Sequence, residues 1–227
     1  MSEQLTFDLP ARPALGRDDF FVSPSNETAL ATVDNWRHWP LGKLLIAGSA
    51  GAGKTHLVRV WAADSGALVL LARDLPDCDI AAVVNNNIRI AIEDIETIAG
   101  NNDAERALFH LHNLVLAESG RLLLSAPDVL PRFDLPDLQS RVEGTPQARL
   151  SPPDDALLGA VLVKLFADRQ IAVSANVVSY ISRRMERSLE SAVHLVGELD
   201  AAALAQNRPI TRDLARAVLD KFSQVGS

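Results

Sequence analysis

Cysteine is nearly absent: Cys78 stands alone, so no internal disulfide can form, which suits a reducing cytoplasm. The chain has no apolar run of membrane-spanning length, and residues 1–19 lack the apolar stretch of a secretory leader. A soluble cytoplasmic protein with no membrane partner is therefore expected. Positive charge is also short, with 22 Lys and Arg against 29 Asp and Glu, a net of -7. That balance argues against gripping nucleic acid unaided, although a local basic patch remains compatible with it. Internal repeats and low-complexity tracts are missing, as is any nucleophile–histidine signature. His110 and His112 stand two apart on a helix, where they point to different faces and make no metal pair.

What is present is ordinary globular material: 227 residues, 48% hydrophobic and 22% charged, enough for one α/β domain and a small appendage. Residues 1–24, with Pro10, Pro13, Gly16 and Pro24 and no sustained periodicity, read as a mobile tail. Ala29, Leu30, Val33 and Trp36 fall at helical spacing within residues 26–39, and Pro40 closes that helix. Short apolar runs follow at 43–47, 67–72, 88–92 and 121–125, separated by helical stretches at 55–63, 79–85 and 103–118. Their alternation indicates a parallel sheet with helices on both faces. The pattern changes at Ser151-Pro152-Pro153. Beyond it residues 154–168, 175–184, 189–205 and 211–222 all show helical spacing, with N-cap candidates at Asp154, Ser174 and Thr211. The expected organisation is a tail over 1–24, an α/β core over 25–151 and an all-helical domain over 152–227.

The segment Gly48-Ser49-Ala50-Gly51-Ala52-Gly53-Lys54-Thr55 has the spacing of a phosphate-binding loop. Glycines let successive backbone N–H groups turn inward around phosphates at a helix N-terminus. Lys54 would reach the β- and γ-phosphates and the Thr55 hydroxyl would ligate Mg²⁺, with ADP or ATP as the nucleotide. An apolar strand (Leu44 to Ala47) precedes the loop and an apolar helix (Leu57, Val58, Val60, Trp61) follows it, as this mechanism requires. A plain glycine-rich turn is the competing reading. The second acidic site such a loop needs is Glu93-Asp94, at the end of the run 88–92, with Glu96 just beyond; carboxylates there sit where ligands of α/β sheets bind. Asp74, Asp77 and Asp79 read as a solvated loop, and Arg183 and Arg184 as a surface patch.

Taken together, several segments resemble the AAA+ family, and within it the regulators related to the replication initiator DnaA. They are Gln4 to Leu9, Phe20 to Asn26, Gly53-Lys54-Thr55-His56-Leu57, Glu93 to Gly100, Leu135 to Arg141, and Arg184 to Leu189. The resemblance implies an AAA+ P-loop core followed by a small helical lid. It places Arg141 at the arginine finger that completes a neighbouring subunit's ATP site and Arg187 at the lid arginine that touches phosphates. Phe21 and Val22 would flank the adenine, and His56 would join the nucleotide-binding set. Gln4, Leu5, Phe7 and Leu9 resemble the peptide that docks on the DNA polymerase sliding clamp: a polar anchor followed by apolar side chains. A tail packed back on the core is the competing reading. The initiator's DNA-binding domain would follow the lid, whereas this sequence stops at Ser227, so no sequence-specific DNA binding is expected.

The sequence also departs from the family pattern. Glu93 then Asp94 replaces the usual Asp followed by a second acid, and Ser125-Ala126-Pro127-Asp128 puts proline where a polar residue is expected. Water placement tolerates only about an ångström of error, so weak hydrolysis by the chain itself is expected. The implied function is a regulator that docks on the clamp and stimulates hydrolysis of initiator-bound ATP in trans. An autonomous ATPase resembling a helicase loader is the alternative, and self-association stays open.

Overall fold

The computed structural model describes residues 21–225. They fall into two compact units: Asn26–Ser151, and Phe21–Ser25 together with the chain from Pro152 onwards.

The first unit opens with α1 (Glu27–Asp34) and a 3-10 turn at Trp36–His38, so the helix expected over 26–39 breaks before Pro40. Next come β1 (Lys43–Gly48), α2 (Lys54–Ser65), β2 (Leu68–Leu71), α3 (Ile80–Asn86), β3 (Arg89–Glu93), α4 (Asn102–Ala117), β4 (Arg121–Ala126), α5 (Pro136–Glu143) and β5 (Gln147–Leu150). The strands form one parallel sheet in the order β2-β3-β4-β1-β5. Leu44 to Ala47, Ile90 to Ile92 and Leu122 to Leu124 are buried throughout, as central strands with both faces covered must be. One apolar cluster gathers Leu45, Ile92, Ile95, Leu108 and Leu124. Elsewhere in the unit Trp39 stacks on Trp61 with ring centroids 5.2 Å apart, and Trp36 meets Trp61 edge-on.

The four expected strands form within a residue of their forecast limits. Two elements were not expected. β5 alternates exposed and buried residues over only four positions and has no β-branched side chain. α5 buries only Leu138 and Val142, too few for a helical period to stand out. The register pairs Ala47 with Ala126, Gly48 with Leu150 and Ile92 with Leu124. The C-terminal ends of β1, β3 and β4 therefore share one edge of the sheet.

In the second unit α6 (Asp155–Asp168), α7 (Ala175–Ser182), α8 (Leu189–Ala205) and α9 (Arg212–Val225) pack around Leu158, Leu162, Phe166, Ile181, Leu195 and Leu199. Asp154 caps α6 by accepting from the Leu157 N–H at 2.8 Å, and Thr211 caps α9 through Leu214. Ser174 accepts no side-chain capping bond, whereas Ser188 caps α8 through Ser191. Burial alone would raise the Asp154 carboxyl. Hydrogen bonds from Leu157, Ser23, Ser25 and Ala156 outweigh it and hold the group below its ordinary value. Among the described residues no helix is long and apolar enough to cross a membrane.

Candidate functional site

The loop between β1 and α2 has the backbone that its sequence demands. Gly51 and Gly53 take φ of 68° and 104°, left-handed values that cost a β-carbon residue free energy. Gly48 is constrained differently: a Cβ there would meet the Leu150 carbonyl oxygen at 3.0 Å and the Leu150 Cβ at 3.1 Å, so glycine lets β5 pass close to the loop. The Lys54 ammonium donates to the carbonyls of Gly48 at 2.8 Å and Ser49 at 3.1 Å, which centres its charge within the loop. Ala52 is buried; Ser49, Gly51 and Gly53 are half-buried; Ala50, Thr55 and His56 are exposed. With the first turn of α2 behind it, this is a cradle of backbone N–H groups and one lysine, suited to a phosphate chain.

The acidic end of β3 is more elaborate than the pair read from sequence. Glu93 is 5% exposed, and its Oε1 has no hydrogen-bond partner. A buried, unpaired carboxylate oxygen is costly, and a bound cation would offset that cost. Asp94 follows at φ 57°, a conformation that Asp tolerates better than most residues, and its N–H donates to Ser125 Oγ at 3.0 Å. Glu96 is half-buried, with Oε2 likewise unpartnered. Burial raises its carboxyl, its own backbone N–H lowers it, Asp94 raises it and Lys54 lowers it, and the net displacement is upward. Glu96 therefore lies within electrostatic reach of Asp94 and Lys54, although its sequence position marks it only as an acid beyond the strand. Nothing local in the sequence marks Ser125 as a contact to the acidic turn, because the two lie 31 positions apart and meet only across the sheet.

These residues fit a nucleotide and Mg²⁺ in a limited sense. Among the described residues no group of three or more His, Cys, Asp or Glu could hold a metal by itself. Thr55, Glu93 and Asp94 would thus supply a minority of the ligands, phosphate and water the rest, as Mg²⁺ sites with nucleotides usually have.

Arg141 lies in the last turn of α5 with its side chain exposed and in no ion pair among the described residues. Its backbone, by contrast, is held. The carbonyl accepts from Thr145 Oγ1 at 2.8 Å and from Lys43 Nζ at 3.1 Å. At the other end of α5 the fully buried Glu105 carboxylate accepts from the N–H groups of Gly100, Asp134 and Leu135. Arg187, in the second unit, donates to the Pro153 carbonyl and pairs with Asp155 at 2.8 Å. That pair is about half exposed and so contributes little to stability. Phe21 and Val22 are half-buried in the same unit. Gln4, Leu5, Phe7 and Leu9 lie outside the described residues.

A five-stranded parallel sheet with a glycine loop after β1, an acidic end on β3 and a helical domain following it in sequence is the architecture of the AAA+ P-loop fold. The family model described as "Hda, lid domain" matches residues 155–219. The chain is 30% identical to the chromosomal replication initiator protein DnaA of Thermomicrobium roseum, over 87% of this chain and 48% of that protein. It thus spans about half the length of that relative. Domain III of the Thermotoga maritima replication initiation protein DnaA superposes with a TM-score of 0.73 at 20% identity, covering 90% of this chain and 95% of that one. AMPPCP-bound DnaA from Aquifex aeolicus superposes at 0.63 and 14% identity, covering 80% and 63%. The chain is thus similar to DnaA over most of its length, and residues 155–219 are similar to the Hda lid domain.

Proposed function

We propose that the protein binds ADP or ATP with Mg²⁺ in the Gly48–Thr55 loop and acts in trans as a regulator of replication initiation. In this reading it docks on the sliding clamp through Gln4, Leu5, Phe7 and Leu9 and presents Arg141 to ATP held by the initiator DnaA. The observation that carries the reading is Arg141: its carbonyl is held by two side-chain hydrogen bonds, while its side chain is exposed and in no ion pair among the described residues. A cation that supports neither its own fold nor a neighbouring carboxylate is free to meet charge developing on another protein's phosphate. Such arginines are worth about 10³–10⁵ in rate where a GTPase receives one from a partner. The AMPPCP named with the Aquifex relative supports the nucleotide part.

Within the site, Lys54 and the loop N–H groups would hold the β- and γ-phosphates, and Thr55, Glu93 and Asp94 would supply the protein's share of the cation's ligands. Mg²⁺, when bound, neutralises phosphate charge. Arg187 would leave its exposed pair with Asp155 to reach phosphate, and Phe21 with Val22 would flank the adenine. Self-catalysed turnover should be slow, since the longer acid stands first and the shorter second. The test is the conversion of initiator-bound ATP to ADP in the presence of clamp-loaded DNA. Adding this protein should accelerate it well beyond the protein's own turnover. Equal turnover with and without initiator would favour an autonomous ATPase.

A further inference from the structure

Lys43, the first residue of β1, is only 4% exposed, a position lysine rarely takes without a counter-ion. It makes no ion pair among the described residues. Its Nζ instead contacts His112 Nε2 at 3.3 Å and donates to the Arg141 carbonyl at 3.1 Å. Burial and the nearby Arg141 charge both push the ammonium below its ordinary value, so the site opposes the charge it holds. Methionine would fill the same space with no polar group to desolvate. What the ammonium gains there is the C-terminal end of α5, where the last carbonyls carry partial negative charge. His112 cooperates: burial first, then the Lys43 charge, lower it to about 4, leaving a neutral ring whose Nε2 accepts from the ammonium. The same strand ends at Gly48, whose carbonyl accepts from Lys54, so β1 runs from the phosphate loop to the anchor of Arg141.

We propose that Lys43 is a positioning residue for Arg141: it fixes the Arg141 carbonyl so that the exposed guanidinium leaves α5 in a single direction. The role rests on the reading of Arg141 as a group acting in trans. Misplacing a reacting group by about an ångström costs up to about a hundredfold in rate. Lys43→Met in the full-length chain should therefore lower the maximal stimulation of initiator ATP hydrolysis by about tenfold to a hundredfold. The protein concentration giving half-maximal stimulation, and the affinity for ADP, should stay at parental values. A general loss of fold would move all three. Thr145→Val removes the second donor to the same carbonyl and should lower the maximum in the same direction; it decides the matter if Lys43→Met does not fold. Parental maximal stimulation in these variants overturns the positioning role. Arg141→Ala, run alongside, separates the two failures: parental stimulation there sinks the trans reading itself, while loss there with parental stimulation in Lys43→Met overturns only the role of Lys43.

Discussion

The N–H of Asp94 donates to Ser125 Oγ at 3.0 Å, tying the acidic turn after β3 to the end of the neighbouring strand β4. Ser125 is fully buried, and deleting its oxygen takes the acceptor from a part-buried N–H. Ser125→Ala should cost about 0.5–1.5 kcal/mol of stability, the usual net worth of one hydrogen bond. It should also weaken Mg²⁺-dependent nucleotide binding, because Asp94 and the adjacent Glu93 lose a fixed backbone. Denaturant unfolding and nucleotide titration with and without Mg²⁺ measure the two effects. Parental values in both would mean that the turn is held by other contacts.

His112 sets a pH dependence whose sign can be worked out. Its folded value of about 4 lies below the ordinary 6.5, so the unfolded chain binds the proton more readily. The groups facing the ring are Lys43, Arg141 and Asn113, and both cations oppose protonation. The contribution is complete above about pH 6.5 and is lost as pH falls toward 4, amounting to about 3 kcal/mol at the acid end. His112→Gln should flatten the unfolding midpoint between pH 6.5 and 4 relative to the parent. Parallel curves for the two proteins would contradict the assignment.

Lys54→Ala removes the one charged group centred in the phosphate loop. Nucleotide at a hundred times its dissociation constant stabilises a protein by about 2.7 kcal/mol, and that increment should largely vanish in the variant. Thermal unfolding with ADP and with ATP reads it directly. An undiminished shift would place the nucleotide elsewhere.

Much of this was legible beforehand. Glycine spacing announces the loop, and continuous apolar runs announce strands buried on both faces, because those signals are local. The contacts that organise Arg141 are not local. Lys43 and Arg141 lie 98 positions apart, and Glu105 lies about 30 from Asp134 and Leu135. Neither a lysine opening an apolar run nor a glutamate in the first turn of a helix stands out by itself. Glu96 gains its relation to Lys54 only once β1 and β3 end on the same edge of the sheet. The role proposed for Arg141 rests on resemblance; by its exposure alone the side chain is a surface charge.

Replacing Gln4, Leu5 and Phe7 with alanine should abolish binding to the sliding clamp. Folding and nucleotide affinity should stay unchanged, since a terminal docking peptide contributes little to the core. Surface plasmon resonance on immobilised clamp, with unfolding run in parallel, distinguishes the outcomes. Parental clamp affinity would sink the docking role, and loss of stability would show that the segment packs on the folded chain.

Whether Arg141 acts on another protein's nucleotide is read by single-turnover hydrolysis of initiator-bound ATP on clamp-loaded DNA. Arg141→Ala should keep the parental unfolding midpoint, ADP affinity and clamp binding, yet lose the stimulation of hydrolysis. Arg141→Lys should restore little, because an ammonium lacks the planar fork that bridges phosphate oxygens. Stimulation by Arg141→Ala at the parental rate would contradict the account.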